Sequence, residues 1–411
     1  MRGKSKNSVT STKPISRWEN DIKNSTKISR WILTMLGIWQ INRHVSIIRR
    51  ILADIRVLIC YSLIFFLLIP CALHTFFEEK DPHRKVKLFG PVIFYSMGMM
   101  KFSFLVARRK NISDCLDHML VDWKRNSSTE DREIMIANAK ISSFIATVCT
   151  IFSYSSAIFF RLIIPLTMGK RVTANNITIR PLGSPVYRPL FTAIESPSYE
   201  IVFTTQTISA LLLYAVTVGA CSLAAVFVLH ACGQLRIVMC RLDSYVVGAE
   251  RADDILERRM AEIVELHLRV LNFIRRIERL LNEVCLIEFV ASIINICLML
   301  YYMVTEFTKA ETIAVIGYCV IVISFTFNIF ILCYIGELLN EQVKNVGSTA
   351  YMIDWYKLPE KNAKGLILLL AMTNYPCRIT AGKMAELSYR SFSGVLKTSM
   401  GYFNLLWKIA S

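Results

Sequence analysis

Residues 201–235 read IVFTTQTISALLLYAVTVGACSLAAVFVLHACGQL, 35 positions without one Lys, Arg, Asp or Glu. About 20 residues of such character carry a helix across a bilayer, so this one crosses and projects beyond the membrane. Six further apolar stretches flank it. They are 57–77, 88–107 with Lys101 as the only interruption, 141–160 continuing past Arg161 to Met168, 289–305, 312–335 and 391–407. The last is the weakest, because Lys397 interrupts it and Ser, Thr, Gly and Asn are abundant. With 54% hydrophobic residues in 411, the chain is no ordinary soluble domain. The expected fold is an all-α membrane protein of seven transmembrane helices.

Charge sets the orientation. Lys and Arg number 11, 7, 9 and 6 in residues 1–50, 108–140, 236–283 and 336–389, against 4, 4, 1 and 1 in 78–87, 169–199, 306–311 and the last four. By the positive-inside rule the N-terminus is cytoplasmic and an odd number of spans leaves the C-terminus extracellular. The net charge of +17 lies beside membrane segments, so it marks topology and contact with anionic membrane lipids rather than nucleic acid. Residues 1–50 hold no apolar core followed by a cleavage site, and the first span is expected to serve as signal anchor.

Three cytoplasmic pieces carry structure of their own. In 236–283 and just beyond, Val270, Ile274, Ile277, Leu281 and Val284 alternate steps of four and three, the seam of a packed helix that continues the fifth span. Residues 365–376 are apolar but too short to cross, and read as a helix buried in a cytoplasmic core. Residues 31–41 read either as a helix dipping into the inner leaflet or as an amphipathic surface helix. Together they suggest a helical cytoplasmic anchor module.

Enzymatic chemistry has no footing. The sequence has no HExxH, GxSxG, P-loop or GxGxxG, and six scattered His form no metal site, so no catalytic residue, metal or cofactor is expected. None of the 12 Cys falls in the external segments, which argues against a disulfide framework. Of the sequons at Asn24, Asn111, Asn126 and Asn176, the orientation exposes only Asn176 to glycosylation. Intramembrane ionisable groups are functional candidates by default, here Lys101, Arg161 and Glu288. Lys101 reads as a cavity or ion-path residue, as half of a structural ion pair, or as a cation snorkelling to the inner face, and Arg161, at the outer end of its span, as an interfacial cation. In the outer halves of the spans, Phe94, Tyr95, Ser153, Ser156, Phe160, Thr204, Thr207 and Tyr318 mix rings with hydroxyls. That mixture suits an apolar cavity with a few orienting hydrogen bonds, and equally suits close helix packing.

The chain resembles the insect odorant receptors over most of its length. The resemblance is carried by Pro376, Ala381-Gly382-Lys383, Ser388, Phe392, Val395-Leu396-Lys397, Ser399 and Tyr402-Phe403, and upstream by Gly336-Glu337-Leu338, Trp355-Tyr356, Leu358-Pro359, residues 230–235 and Leu36-Gly37-Ile38-Trp39. It implies a ligand-gated cation channel in the plasma membrane of olfactory dendrites. Such channels are tetramers joined through a cytoplasmic anchor, with an odorant pocket among the second, third, fourth and sixth spans.

The implied organisation is a cytoplasmic segment at 1–50, the first four spans with the pocket region at 51–235, an extended helix with spans five and six at 236–340, an anchor segment at 341–389 and a pore-lining span at 390–411. Leu405 and Ile409 match the hydrophobic gate, and Ser153, Ser156 and Phe160 match the pocket spacing of the third span. The segment 236–283 is too short for the insertion of the shared co-receptor, which implies a tuning subunit that binds a small volatile and pairs with that co-receptor in a heterotetramer. Lys408 departs from the pattern, since a cationic ring opposes cation flow. A gustatory-type receptor is the nearest alternative, but the Gln-Phe of that family's ending is missing. A G-protein-coupled receptor predicts the opposite orientation, and a transporter predicts repeats that the halves do not show.

Overall fold

The computed structural model describes residues 17–39, 47–125, 128–168, 171–172, 178–179, 182–187, 189, 196–246, 253–307, 312–374 and 377–410. In order the helices are α1 (Arg17–Ser25), α2 (Lys27–Met35), α3 (Ile47–Leu73), α4 (Pro82–Ala107), α5 (Arg109–Arg125), α6 (Thr129–Ile158), α7 (Ile164–Met168), α8 (Ser198–Asp243), α9 (Asp253–Phe307), α10 (Thr312–Met352), α11 (Glu360–Thr373) and α12 (Tyr389–Ala410). Two-residue antiparallel pairs join β1 (Arg171–Val172) to β2 (Thr178–Ile179) and β3 (Thr380–Ala381) to β4 (Ala385–Glu386).

Six of these helices, α3, α4, α6, α8, α9 and α10, are long and apolar enough to cross a membrane, and α12 is not among them. At 1.5 Å per residue, the 46, 55 and 41 residues of α8, α9 and α10 reach roughly 69, 82 and 61 Å, about twice or more the 30 Å of a hydrocarbon core. Each therefore serves two environments, one half in the bundle and one half in a bundle extension at the end that also holds α5 and α11.

The extension is built on the seam read from sequence. Val270, Ile274, Ile277, Leu281 and Val284 are all buried along α9, which runs unbroken from Asp253 into its apolar half. A helix buried at 3.6-residue spacing gains its stability from packing, and α9 packs against α4, α5, α8, α10, α11 and α12. The central pillar is α8. Its residues 216–235 are buried on every side, because α2, α3, α4, α6, α9 and α10 surround them.

One short segment, α11, differs from its expected role, and another, α2, takes the amphipathic one of its two expected roles. Helix α11 buries Asn362, Leu366 and Leu369 but exposes Ile367 and Leu368, so it covers the extension with one face rather than lying within a core. Helix α2 lays Ile32 and Leu33 against Gly219 of α8 and turns Trp31 and Met35 outward. It is an amphipathic helix docked on the bundle, with one apolar face spoken for and a second left open. Gly37 ends it at φ +72°, where a Cβ would stand 2.6 Å from the Ala53 carbonyl of α3. Only glycine combines that backbone conformation with so close an approach.

The C-terminal signature residues have separate physical tasks. Gly382 and Lys383 both take positive φ to turn β3 into β4, and their N–H groups donate to the backbone and side-chain oxygens of Asn282 on α9, at 3.0 and 2.9 Å. Gly336 lets that hairpin close on α10, since a Cβ there would lie 2.4 Å from Leu387. Ser388 accepts from the Ser391 N–H and Glu337 from the Tyr389 N–H, both at 3.3 Å, satisfying donors of the first turn of α12. Phe392 meets the ring of Phe330 edge-on, and Val395 and Ser399 are buried. Along α12, positions 392, 395, 399, 403 and 406 thus face the bundle, while Leu405 and Ile409 are exposed to one side of that face.

Candidate ligand-binding site

At the bundle end that carries residues 182–187, three spans and that segment meet in a buried polar knot. Arg161 sits in a π-helical turn, Phe159–Ile163, that follows α6. Such turns widen the backbone and re-aim side chains. The residue is 4% exposed, and its guanidinium donates to Ser184 Oγ at 2.8 Å and to the Tyr95 hydroxyl and lies over the Tyr95 ring at 5.5 Å. Tyr95 and Ser184 hydroxyls are 2.5 Å apart. Gln206 of α8 clamps the Ser184 backbone, accepting from its N–H and donating to its carbonyl, both at 3.2 Å.

Arg161 is therefore buried among neutral groups. Among the described residues no carboxylate pairs with it, although an unpaired charge in a low-dielectric interior is costly. The sequence places this side chain at the interface, and the structure corrects that. Cys149, Ser153, Ala157 and Arg161 follow one another at four-residue steps, all buried, so the helical face was the usable signal and charge the misleading one.

The remaining candidates distribute as follows. Phe94 touches three rings, Tyr95, Tyr214 and Phe325, at 5.9, 5.3 and 5.9 Å. Phe160 and Tyr318 pack against the adjoining cluster of Leu298, Met299, Tyr301, Tyr302 and Ile321, with Tyr318 5.7 Å from Tyr302. Ser153 and Ser156 are buried in α6. Ser156 donates to the Ser153 carbonyl at 2.8 Å, whereas the Ser153 hydroxyl has no partner. Thr207 is half-buried and donates to the Phe203 carbonyl of its own helix. Thr204 is exposed and likewise bonds its own helix, at Glu200, so it stands outside the group. Sequence reasoning missed Ser184, Gln206 and Tyr214. Ser184 lies in a polar connection without periodicity, but a Gln within an uncharged span is a visible signal. Asn176 lies outside the described residues.

The other two ionisable candidates pair with each other. Lys101 Nζ lies 2.7 Å from Glu288 Oε2 and 2.9 Å from Thr217 Oγ1, tying α4 to α9 and α8 in a buried ion pair. In the extension, Asp122 of α5 receives Arg269 Nε at 2.6 Å and His230 Nε2 at 3.0 Å, with His118 Nδ1 at 3.1 Å. Burial opposes its ionisation, yet the hydrogen bonds of His118 and His230 prevail and hold the Asp122 carboxyl well below the usual range. No group of three or more His, Cys, Asp and Glu suited to a metal occurs among the described residues.

Six helices of membrane-crossing length and apolar character define a multi-pass membrane protein, with a few convergent polar groups buried among its spans. A family model described as 7tm Odorant receptor matches residues 81–400. The chain belongs to that family.

Among the curated proteins it is similar to Odorant receptor 10 of Aedes albopictus, 21% identical over 313 residues that cover 76% of each chain. Odorant receptor 13a of Drosophila melanogaster is 26% identical over 258 residues, 56% of this chain and 61% of that one. The fold is shared with the olfactory receptor OR5 of Machilis hrabei, solved in complex with eugenol. That match has a TM-score of 0.77 at 12% identity and covers 96% of this chain and all of the other. These relatives are receptors.

Proposed function

We propose that this chain is the odorant-binding subunit of a ligand-gated, non-selective cation channel of olfactory neurons. The observation that carries the reading is the knot of Tyr95, Arg161, Ser184 and Gln206 beside the aromatic wall of Phe94, Phe160 and Tyr318. It offers a buried cation and a partnerless Ser153 hydroxyl to a small, mostly apolar molecule that bears an oxygen acceptor. The N-terminus is cytoplasmic and the C-terminus extracellular, with α12 as the seventh span.

Leu405 and Ile409 stand four residues apart on the face of α12 that this chain leaves open, and that face lines the pore as a hydrophobic gate in a heterotetramer with the shared co-receptor. The odorant opens the channel by binding the open state more tightly. Shifting a mostly closed population to mostly open takes about 5 kcal/mol of differential binding, shared among the contacts. A gustatory-type channel remains the second member of the same class, and the odorant-receptor family match disfavours it.

Dose–response curves of substituted receptors test the site. Phe160→Ala and Tyr318→Ala are expected to shift the half-maximal odorant concentration at least tenfold at normal surface expression, and Thr204→Ala less than twofold. Equal sensitivity of all three would remove the site from this position.

A further inference from the structure

We propose that the groove between α1–α2 and α3 binds the headgroup of an inner-leaflet phosphoinositide. The cavity measures about 760 Å³, within the usual range for small-molecule sites, and far exceeds what one phosphate needs. Two helical stripes line it. The first runs Lys23, Thr26, Arg30, Thr34 and Gly37 at steps of three and four, and the backbone bonds Thr26 to Ile22 and Arg30 to Thr26 carry one helical track across the α1–α2 junction. The second runs Arg49, Leu52, Ala53 and Arg56 along α3.

Four cations thus face one cavity, against the single carboxylate of Glu19. The carboxylates nearby are committed elsewhere, Asp21 to Arg132 at 2.6 Å and Asp54 to Arg109 at 2.7 Å. Among the described residues Lys23, Arg30, Arg49 and Arg56 have no carboxylate partner, Arg56 reaching only the Thr34 carbonyl at 3.3 Å. The Trp39 indole N–H, also in the lining, has no partner either.

The outer surfaces around the groove say what supplies the anion. Trp31 and Met35 of α2 and Ile48, Ile51 and Ile55 of α3 are exposed apolar side chains, a lipid-facing collar beside a cationic hollow. That arrangement holds acyl chains outside and phosphates inside. Several cations around a cavity of this size match a multiply phosphorylated inositol ring better than a headgroup of single charge, and the charge asymmetry puts this end at the cytoplasmic leaflet.

The test is lipid binding by the full-length chain in nanodiscs of phosphatidylcholine, which present both leaflets. Four additions are compared: phosphatidylinositol bisphosphate, phosphatidylserine at equal total charge, soluble inositol trisphosphate, and none. Phosphatidylinositol bisphosphate is expected to bind at least tenfold more tightly than phosphatidylserine. The double variant Arg30→Gln/Arg49→Gln should lose about 25-fold, roughly fivefold per neutralised cation. Lys27→Gln/Arg50→Gln, on the same helices but outside the lining, should lose less than threefold and controls for folding. Equal binding of the two lipids, equal losses in the two double variants, or binding of soluble inositol trisphosphate as tight as the lipid would each overturn the proposal.

Discussion

Single residues decide where charge lies in this bundle, and two of them make direct predictions. Replacing Lys101 by Met leaves Glu288 buried without its cation and should cost about 3–5 kcal/mol. The double replacement Lys101→Met/Glu288→Leu should recover most of it, as thermal unfolding of the purified protein would record. His267 is buried in α9 with no partner on either ring nitrogen, and burial pushes its pKa down to about 4. Between about 6.5 and 4 the unfolded chain therefore holds a proton that the folded chain refuses. Stability is full above that window and falls as pH drops through it, by about 2 kcal/mol between pH 7 and 5. His267→Leu should abolish that part of the pH dependence in the same unfolding assay. Lys101 and Glu288 were legible because any charge inside an apolar run demands a partner. Arg161 was misread because a cation at the end of a run usually snorkels, and its partner Ser184 sits in a connection that no periodicity marks.

Among the elements, the long helices were the legible part, and their extensions were legible wherever one face kept the 3.6-residue period. The seam from Val270 to Val284 predicted a continuous α9, and the structure buries every one of its residues. The π turn at Phe159–Ile163 left no backbone signal in the sequence, since apart from Arg161 its side chains keep the apolar character of the helix before it and no Gly or Pro marks it. The exposed face of α11 was unreadable for a related reason. An apolar run of twelve residues does not say which neighbours will cover it. The contact of Gly336 with Leu387 carries the prediction at this scale. Gly336→Ala should displace the β3–β4 hairpin from α10 and destabilise the protein by about 1–3 kcal/mol, whereas Gly401→Ala, exposed within α12 with open space around it, should stabilise it by roughly 0.5–1 kcal/mol through helix propensity. Gly401 lies on the outward face of α12, so a loss of function without a loss of stability there would mark that face as an interface.

For the whole molecule, the long apolar stretches led to the all-helical membrane fold that the family match and the OR5 likeness support, with six helices apolar enough to cross and α12 short of them. A span too polar for lipid must be sheltered or face water, and a pore-lining place in an assembly supplies both conditions. Orientation has its own check. The glycan expected at Asn176 should disappear in Asn176→Gln and persist in Asn24→Gln and Asn111→Gln, read as a glycosidase-sensitive mass shift. The central claim is tested most directly by voltage-clamping cells that express this chain with and without the shared co-receptor, under a panel of volatiles and with G-protein signalling blocked. A fast cation current that needs both chains and survives the block is the expected result. A response that the block abolishes, or no current in any combination despite surface expression, would contradict the account and strip Leu405 and Ile409 of their place at the gate.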